Sequence, residues 1–568
     1  MPTTWIARLP APAAELVTRV DLMMASGVEP ELATLLALRG VTTAPAAAAF
    51  LAPGIESLHD PLLLLGMREA LDLIVAAHGR GDRVAVVGDY DVDGLTATAL
   101  LLGVFRALGI DARGILPNRH AGGYGLQPRH VCQADELGCR LLITADCGIL
   151  AHEAIAEAAS RGLPVIVTDH HLPGDRPLAA AAVINPRQAG CRYPFQDLAG
   201  VGLALKVAVA LLERFGREIP WAALLRISCL GTIADAAPLV GENRVLASCG
   251  LAVLAATPSV GLRALFAKAE VGSPVSAHDV GFRIGPRLNA AGRLGAADPA
   301  LELLLTRDPA RARELAAQLE RFNIERRALE KQVVDDCETR FTGRPLPAIL
   351  VGWSSAWHRG VVGIAAGRLA RRFHRPALLF AVDDGVGVGS GRSIPGIDLH
   401  GFLRAWESRL ERFGGHSQAV GLTVLAAELE NLAREWETVA ATWPPESLAE
   451  EVEYDLALAI SDVTSSLLDR LARLEPFGIG NPEPTFRFGP CRLAGSTRAF
   501  GVGHLEFSAL GTDGSTVQVV AWQGAERAGL VGALEGRFEM IAAVEFDRFR
   551  KRPRLRLVDL RSTADQTN

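Results

Sequence analysis

Short hydrophobic runs alternate along the first half of the chain with stretches of helical periodicity. Between Arg83 and Ala237 the apolar runs are VAVVG, ARGILP, RLLITAD, LPVIVTD and AAVINP, and helical stretches such as 95–107 and 151–161 separate them. Strands that alternate with helices are typical of βαβ units. The pattern therefore predicts an α/β domain with a mostly parallel sheet.

A long helix is predicted after this region. Asp308 and Pro309 provide an N-cap and a first helical residue, and the stretch ARARELAAQLERFNIERRALEKQVVDDCETRF contains few helix breakers. About 30 helical residues span about 45 Å. We therefore expect a helix that connects two halves of the molecule.

The remaining patterns divide the chain into further parts. The runs CRLAGSTRAF, HLEFSALG, STVQVVAWQG, RFEMIAAVEF and RPRLRLVDLR resemble strands of a small β-barrel. We predict an N-terminal helical segment over 1–75, the parallel-sheet domain over 76–300, the connecting helix over 301–343, a second α/β domain over 344–450 and the barrel over 451–568.

Composition and charge argue against several classes of protein. The 568 residues are 49% hydrophobic, enough for several buried cores. No apolar run approaches the about 20 residues of a membrane helix, and no signal peptide is evident, so we expect a cytoplasmic protein. Eight scattered cysteines without a C-x-x-C pair argue against a disulfide framework or a structural zinc site. With a net charge of −6, binding to nucleic acid would require local basic patches.

Three aspartates, Asp89, Asp91 and Asp93, are crowded directly after the first apolar run. On an extended chain, residues two apart project to the same side about 6.6 Å from each other. Each ionised pair then costs about 2 to 3 kcal/mol, which a divalent cation would offset. An EF-hand loop is excluded, because Leu100 replaces the bidentate glutamate and a strand precedes the loop. A solvated acidic turn stays as the alternative.

Other apolar runs also end in acids or histidines. Asp146 follows one run, Asp169, His170 and His171 follow the next, and Asp235 follows GTIA. The carboxyl ends of parallel strands converge on one crevice, so we expect these side chains to meet there.

Mostly oxygen ligands with one imidazole favour Mn²⁺ or Mg²⁺, and the set is large enough for two ions. Two such ions are typical of phosphoester hydrolysis. Adjacent residues on an extended chain point to opposite faces. We therefore assign His170 to the metal, and His171 to the phosphate or to a contact behind the metal ligands.

Four of these motifs, GDYDVDG, TADCGI, TDHH and GTIADAAPLVGENR, resemble the motifs of the DHH phosphoesterase superfamily in their order and separation. Further stretches are similar to members that degrade single-stranded DNA: CRYPFQDLAGVGLALKVA, FRIGPRLNAAGRLG, WHRGVVGIAAGRLA, GSGRSI, FGGHSQAVGLTV and PFGIGNPEP. The resemblance runs from about residue 75 to the C-terminus. It implies a DHH catalytic domain, a DHHA1-type substrate-binding domain and an OB-type barrel.

The resemblance also implies an activity: processive 5′ to 3′ hydrolysis of single-stranded DNA with Mn²⁺ or Mg²⁺, in recombination and repair. It implies Asp91, Asp93, Asp146, Asp235 and His170 as metal ligands. Asp89 belongs to the same first motif, and we count it with the metal residues. We assign Asp146 and His171 to catalysis. The expected partners are single-stranded DNA, a single-strand-binding protein and a helicase, and no membrane.

Several later residues are candidates for substrate binding. Arg287, Asn289 and Arg293 suit phosphate contacts, although the arginines could instead pair with local acids and hold the connecting helix. In GVGVGSGRSI, closely spaced glycines with Ser390 and Arg392 could form a phosphate cradle, and a tight strand turn is the alternative.

Two rings and a basic strip complete the substrate-binding candidates. His416, after two glycines, could reach across a domain cleft, unless it is a buried structural residue. Trp357 could stack on a base. In FDRFRKRPRLRL, Arg550 and Arg552 belong to a basic strip that would bind a single strand, and a solvated sheet edge is the alternative.

Two other functions remain open from the sequence. One is a DHH enzyme for short oligonucleotides or cyclic dinucleotides, which the long C-terminal β-region disfavours. The other is a catalytically silent single-strand-binding scaffold, which would be expected to have lost metal ligands, whereas every acid is present here.

Overall fold

The structure is a computed structural model that describes residues 3–8, 13–117, 125–295, 297–343, 345–524, 534 and 536–563. Residue 344, where we expected the second α/β domain to begin, lies outside these ranges. No helix among the described residues is both long and apolar enough to cross a membrane.

The N-terminal segment contributes to two different cores. Its elements are β1 (Thr4–Ala7), α1 (Ala13–Met24), α2 (Pro30–Leu38), α3 (Ala44–Leu51) and α4 (Met67–Arg80). Leu36 and Phe50 pack in one hydrophobic cluster with the C-terminal barrel, whereas Ile74 of α4 packs with the parallel sheet. Strand β1, where we expected helix, pairs in parallel with residues 451–454. Its partner is remote in sequence, so local periodicity could not reveal it.

The predicted parallel sheet is present, and we call the part that contains it the first α/β domain. Val84 and Val86 face one hydrophobic cluster and Ala85 and Val87 another, so both faces of the sheet are buried, as a continuous apolar run predicts. The strand order is β3-β2-β4-β5-β6. The elements are β2 (Arg83–Gly88), α5 (Val92–Leu108), β3 (Ala112–Ile115), α6 (Pro128–Glu136), β4 (Cys139–Ala145), α7 (His152–Ser160), β5 (Val165–Thr168) and β6 (Ala182–Ile184).

Helices complete this domain. They are α8 (Gly200–Arg214), α9 (Trp221–Ala234), α10 (Gly241–Leu254), α11 (Val260–Ala269), α12 (Ala277–Asp279), a π-helical segment Val280–Ile284, α13 (Gly285–Leu294) and α14 (Asp298–Leu305). The apolar run GTIA lies at the end of α9, so the expectation that Asp235 follows a strand is wrong. A short apolar run alone does not distinguish a strand from a buried helix.

The predicted connecting helix is present as α15 (Pro309–Phe341), 33 residues long, but its expected start at residue 301 is wrong, because residues 301–305 belong to α14 and pack in the first α/β domain. Oδ1 of Asp308 caps it by accepting a hydrogen bond from the backbone N–H of Ala310 at 2.8 Å. Leu315 near its start packs in the core of the first α/β domain, and Val334 near its end packs in the core of the next domain. The helix therefore joins two cores.

The second α/β domain contains a mixed sheet of order β10-β11-β9-β8-β7. Only β7 and β8 are parallel within it. The elements are β7 (Leu350–Ser354), α16 (Val362–Phe373), β8 (Ala377–Asp383), β9 (Val386–Arg392), α17 (Leu399–Leu403), β10 (Arg412–His416), β11 (Ala419–Leu425) and α18 (Leu429–Ala440).

The C-terminal part forms the predicted barrel. Pairing of β14 with β17 closes the order β14-β15-β16-β18-β17 into a ring. The elements are β12 (Glu451–Tyr454), β13 (Leu456–Leu458), α19 (Ser465–Ala472), β14 (Phe486–Phe500), β15 (His504–Leu510), β16 (Thr516–Ala521), β17 (Arg537–Asp547) and β18 (Arg552–Ser562). Closure leaves β14 to β18 without an unpaired edge.

Candidate active site

The three crowded aspartates lie at a junction between a strand and a helix. Asp89 follows β2, Asp91 is the N-cap of α5, and Asp93 lies in the first turn of that helix. Oδ1 of Asp91 accepts hydrogen bonds from the backbone N–H groups of Asp93 at 3.0 Å and Gly94 at 3.1 Å. The expectation that all three project from one extended chain is wrong, because the helix begins at Val92.

Asp93 is held by the N-terminus of a second helix. Its Oδ2 accepts a hydrogen bond from the N–H of Gly200 at 2.6 Å, and its Oδ1 accepts one from the N–H of Val201 at 2.8 Å. These are the first two residues of α8, where backbone dipoles place partial positive charge. Main-chain amides therefore stabilise this buried carboxylate. They lie in the CRYPFQDLAGVG motif, whose structural role the sequence did not reveal.

Asp146, His170 and Asp235 meet beside Asp93. Nε2 of His170 lies 3.1 Å from Oδ1 of Asp146, 3.9 Å from Oδ2 of Asp93 and 3.9 Å from Oδ2 of Asp235. Asp146 follows β4, and His170 belongs to the loop after β5. The predicted convergence of these side chains is present, although Asp235 comes from the end of a helix.

Close packing of α8 against Asp146 requires a glycine. A Cβ at Gly200 would lie 2.5 Å from Cβ of Asp146 and 2.6 Å from its Oδ1. The backbone of Asp146 is left-handed, with φ 65°, and so is that of Ala236, with φ 58°. Aspartate tolerates this conformation better than alanine does. The strained backbone next to Asp235 is typical of a functional site.

His171 lies beside His170 and is oriented by Asp169. The two ring centroids are 4.4 Å apart, so the expectation that the imidazoles face opposite sides is wrong. They belong to a loop after β5 and not to an extended strand. Nδ1 of His171 is 2.7 Å from Oδ1 of Asp169, and the other carboxylate oxygen accepts a hydrogen bond from the N–H of Ile149 at 2.9 Å. Sequence reasoning gave Asp169 no role.

Burial and mutual repulsion shift the pKa values of the acids upward. Burial, followed by the charges of Asp235 and Asp91, raises the pKa of Asp93 well above its usual range. Burial, followed by the charge of Asp93, does the same to the pKa of Asp146. Burial, followed by the charge of Asp91, raises the pKa of Asp235 to about 7. The crevice therefore resists further negative charge.

The pKa values of the two histidines shift in opposite directions. Burial, followed by the nearby His171, lowers the pKa of His170 to about 4. Burial acts against the charge on His171 too, but the hydrogen bond and charge of Asp169 raise its pKa to about 9. At neutral pH in the metal-free protein, the imidazole of His170 is therefore neutral and that of His171 carries a proton.

These residues fit a divalent metal centre. Three sets have ligand atoms within 4.8 Å of one another: Asp89 with Asp91 and Asp146, Asp93 with His170 and Asp235, and Asp146 with both histidines. Within the described residues, Oδ1 of Asp146 and Nε2 of His170 are buried and make no hydrogen bond. Buried polar atoms are rarely left so. Carboxylates with an imidazole suit Mn²⁺ or Mg²⁺.

The three residues of α13 that we predicted to bind phosphate make different contacts. Oδ1 of Asn289 accepts a hydrogen bond from the N–H of Val92 at 3.0 Å, at the start of α5. Arg287 forms an ion pair with Glu320 of the connecting helix, which is the structural alternative that we had left open. The carbonyl oxygen of Arg293 would lie 2.2 Å from a Cβ on Gly360, so it borders the second domain.

Ser390 and Arg392 lie together at the N-terminus of α16. A Cβ on Gly363, in the first turn of this helix, would lie 3.2 Å from Oγ of Ser390 and 3.5 Å from Nη2 of Arg392. Helix N–H groups, a hydroxyl and a guanidinium thus face one small space. His416 is exposed at the end of the edge strand β10, so the alternative of a buried structural histidine is wrong.

Trp357 does not stack on a base, and that prediction is wrong. The side chain is 6% exposed and packs in the core of the second α/β domain. Its Nε1 donates a hydrogen bond to Oδ2 of Asp336 on the connecting helix at 2.8 Å. Because Asp336 is distant in sequence from the loop that contains Trp357, the motif alone did not show this burial.

The basic strip of the barrel is largely compensated by acids. Arg550 pairs with Glu506 and Asp547, and Arg554 pairs with Glu545 at 2.6 Å. Arg552 is exposed at the start of β18. The expected continuous row of unpaired arginines is therefore interrupted by ion pairs.

Family models match three parts of the chain. The DHH family N-terminal domain matches residues 83–232, the DHHA1 domain matches residues 347–442, and the RecJ OB domain matches residues 454–559.

Curated relatives named single-stranded-DNA-specific exonuclease RecJ are similar over most of the chain. The Bacillus subtilis protein is 38% identical over 80% of this chain, which spans 58% of that protein. The Escherichia coli protein is 37% identical, with 80% of this chain and 83% of that protein covered.

The solved structure of RecJ from Thermus thermophilus in complex with Mn²⁺ matches with a TM-score of 0.84 and 33% identity, over 99% of this chain and 80% of that chain. The same protein in complex with Mg²⁺ matches with a TM-score of 0.78 and 32% identity, over 99% of this chain and 78% of that chain. Taken with the three domains and the acidic crevice, these likenesses show that the chain belongs to the RecJ family.

Proposed function

We propose that this protein is a metal-dependent exonuclease that removes nucleotides from the 5′ end of single-stranded DNA in recombination and repair. The observation that carries the proposal is the position of His170 Nε2, 3.1 Å from the carboxylate of Asp146 and 3.9 Å from those of Asp93 and Asp235. Such a cluster of acids around a neutral imidazole suits two divalent ions. The names of the relatives support the substrate.

We assign the metal ligands to Asp89, Asp91, Asp93, Asp146, His170 and Asp235. When bound, two Mn²⁺ or Mg²⁺ ions would activate the attacking water and stabilise the leaving oxygen. The α8 amides fix Asp93 in place, and the glycine at position 200 lets Asp146 approach. The ligand geometry is thus set by backbone packing before a cation binds.

We assign a protonated His171 to the phosphate. Its imidazole is held by Asp169, and its side chain is 43% exposed toward solvent. Burial acts against the charge on its ring, but the hydrogen bond and charge of Asp169 raise its pKa to about 9 in the metal-free protein, which favours a protonated ring. It can therefore donate a hydrogen bond to a phosphate oxygen and supply a proton to the leaving group.

The second α/β domain would hold the terminal phosphate. The N-terminus of α16, with Ser390 and Arg392, offers donors suited to a phosphate dianion. A site that requires a terminal phosphate would select a strand end, and the 5′ polarity itself rests on the resemblance. Asn289, Arg293 and His416 would border the strand between this site and the crevice.

A single strand would continue onto the barrel, where Arg552 and part of the Arg550 charge are exposed. We expect the cytoplasm as the place of action. The protein partners implied by the resemblance, a single-strand-binding protein and a helicase, remain predictions that pull-down from cell extract would check.

The decisive experiment is product analysis on strands labelled at either end, with Mn²⁺, Mg²⁺ or chelator. We expect a 5′ label to be released as a mononucleotide early and a 3′ label to remain on shortening strands. Comparison with a dinucleotide and a cyclic dinucleotide as substrates distinguishes an enzyme for short substrates. Release that survives chelation, or that begins at the 3′ end, would contradict the proposal, and no release at all would indicate a silent scaffold.

A further inference from the structure

Two motifs that the proposed function leaves without a role meet at the border between the first α/β domain and the C-terminal part. The segment PLVGENR, residues 238–244, runs into α10, and the loop PFGIGNPEP, residues 476–484, lies between α19 and β14. The backbone N–H of Leu239 donates a hydrogen bond to the carbonyl oxygen of Ile479 at 2.6 Å. The motifs therefore bind each other through main-chain atoms, and we call residues 238–244 and 473–484 together the joint.

The joint is packed closely enough to require glycines. A Cβ on Gly478 would lie 2.8 Å from Cδ1 of Leu239. A Cβ on Gly480 would lie 3.2 Å from Cβ of Pro238 and 3.3 Å from Cγ1 of Val240. The backbone of Gly480 is also left-handed, with φ 76°. A side chain at position 480 would therefore strain its own backbone and push the loop away from the first α/β domain.

Arg244, the last residue of PLVGENR, is a buried arginine without an acidic partner. It is 2% exposed, and no carboxylate among the described residues pairs with it. Burial, followed by the charge of Arg39, lowers its pKa to about 10, so the guanidinium is charged at neutral pH. A buried charge is costly unless hydrogen bonds satisfy it. The partners of this guanidinium therefore show what it does.

Carbonyl oxygens from two distant segments surround the guanidinium. Its Nε donates a hydrogen bond to the carbonyl oxygen of Phe50 at 2.7 Å, and its Cζ lies 3.8 Å from the centroid of the Phe50 ring. Nη1 donates to the carbonyl oxygen of Leu474 at 3.0 Å, and Nη2 donates to that of Glu475 at 2.9 Å. One side chain of the first α/β domain thus binds the end of α3 and the segment after α19 at the same time.

Glu242 and Asn243 of the same motif are buried too, and they hold the first α/β domain side of the joint. Glu242 forms an ion pair with Lys206 of α8 at 2.6 Å. Nδ2 of Asn243 donates a hydrogen bond to the carbonyl oxygen of Asp197 at 2.5 Å, shortly before α8 begins. Since the N-terminal amides of α8 hold Asp93, the joint and the metal crevice are attached to the same helix.

We propose that Arg244 is a positioning residue for the exonuclease, because it fixes the barrel and the N-terminal segment in one orientation relative to the metal crevice. The inference rests on the proposed function and gives a role to a side chain that touches neither metal nor substrate. A strand that contacts two sites gains affinity only if the spacing between them suits it. Loss of the Arg244 contacts should therefore weaken binding of long strands and leave the chemistry of the crevice unchanged.

The first test is steady-state nucleotide release by the full-length protein with Mn²⁺. The substrate is a 5′-phosphorylated thymidine strand longer than the about 16 nucleotides that an OB fold covers. Arg244→Met should raise KM about tenfold, a part of the gain that two correctly spaced sites provide, and should leave kcat within about twofold of the parent value. Arg263→Met, at an exposed position on α11, is the matched control and should keep the parent KM.

Hydrogen exchange measures the joint directly. In Arg244→Met the amide of Leu239, which binds Ile479 across the joint, should exchange faster, because local opening becomes easier. The amide of Val201, which holds Asp93 in the crevice, should keep its protection. Faster exchange at both amides would show that the arginine supports the first α/β domain as a whole, and this would contradict the inference.

Gly480→Ala tests the joint without removing the buried guanidinium. The new Cβ would press on Pro238 and Val240, so KM should rise several-fold, in the same direction as in Arg244→Met. Gly514→Ala is the matched control, in the turn between β15 and β16. Its backbone is also left-handed, with φ 82°, but nothing lies within 4 Å of the new Cβ, so KM should stay at the parent value. An equal rise in both variants would assign the effect to backbone strain and not to the joint.

Parent-like KM in folded Arg244→Met and Gly480→Ala proteins would overturn the inference. So would a lower kcat at unchanged KM, because a residue that only stabilises the fold reduces the amount of active protein. Circular dichroism checks folding. Failure of the proposed function is separate and appears as absence of Mn²⁺-dependent release in the parent protein. The exchange of the Leu239 amide in Arg244→Met then still decides whether this arginine fixes the joint.

Discussion

The acidic crevice and the β17–β18 hairpin both crowd like charges into a short stretch, but their neighbours differ. In the crevice, Asp93 and Asp146 face other carboxylates, and their pKa values are raised by burial and then by those charges. In the hairpin, Arg550 and Arg554 each face a carboxylate on another strand. In the folded protein the carboxylates of the crevice therefore repel one another, whereas the arginines of the hairpin are neutralised by acids.

This difference distinguishes charged residues that bind a ligand from charged residues that only stabilise the fold. An uncompensated buried cluster lowers stability, so its presence indicates that something outside the chain binds there. Compensated surface arginines need no ligand, and they resemble the charged edges of many sheets.

The largest effect is expected from Asp146→Ala. This carboxylate belongs to two of the three potential metal sets. Its loss should reduce nucleotide release at least about a thousandfold, equivalent to about 4 kcal/mol in the barrier, and titration calorimetry should show weaker Mn²⁺ binding. Asp175→Ala, an exposed aspartate of the same domain, is the control. Unchanged turnover in a folded Asp146→Ala protein would remove the metal centre from the explanation.

Gly200→Ala should lower the rate of nucleotide release only by displacing neighbouring residues, because it removes no functional side chain. The added Cβ would lie 2.5 Å from Cβ of Asp146, so α8 or the aspartate must shift, together with the amides that hold Asp93. A displacement of about 1 Å at a catalytic centre costs about a hundredfold in rate. Gly103→Ala, in α5 with nothing within 4 Å of its new Cβ, should keep full activity. Equal rates in the two variants would show that the crevice tolerates movement.

The metal-free protein should lose stability as pH rises from about 5 to 9. Burial, followed by Asp91, raises the pKa of Asp235 from its ordinary 3.8 to about 7, so its contribution to stability is lost as pH rises toward 7 and does not change further above that pH. His171, with a pKa raised to about 9 by Asp169 against burial, contributes stability below its unfolded value near 6.5 that is lost through pH 9.

Thermal unfolding in chelator across this range measures the effect. The Tm should fall between about pH 5 and pH 9, and saturating Mn²⁺ should reduce the fall below pH 7 because the cation stabilises the ionised acids. Asp235→Asn should flatten the dependence below pH 7 and leave the fall from His171 between pH 7 and pH 9. A Tm that rises across the window would mean that the carboxylates are compensated by groups other than those described.

The smallest effect is expected from Glu506→Ala in the barrel. Its carboxylate, 6% exposed, pairs with both Arg498 and Arg550, so its loss should cost about 1 to 3 kcal/mol of unfolding free energy. Arg498 would lose its acidic partner and Arg550 would keep only its ion pair with Asp547, so single-strand affinity should rise a few-fold and its salt dependence should steepen. Glu451→Ala, at an exposed position on β12, is the control. Weaker single-strand binding by Glu506→Ala would show that the ion pairs themselves form the binding surface.

Much of the fold followed from local sequence. The runs VAVVG, RLLITAD and LPVIVTD became parallel strands, and Asp308 with Pro309 began the 33-residue helix, because periodicity, caps and strand ends are read within a few residues. The sequence also predicted that Asp146 and His170 follow neighbouring strands, and the carboxyl ends of parallel strands bring such residues together.

Tertiary structure decided what depends on partners remote in the sequence. Trp357 is buried by packing in the core of the second α/β domain, where Asp336 on the connecting helix accepts its N–H, and Arg550 is paired because the barrel brings Glu506 of β15 close to it. Asp93 depends on the amides of α8, and Asp235 arrives from a helix end. A sequence specifies which side chains can carry charge, but only packing determines which charges are cancelled and which remain for a ligand, since Coulomb energy depends on distance in space.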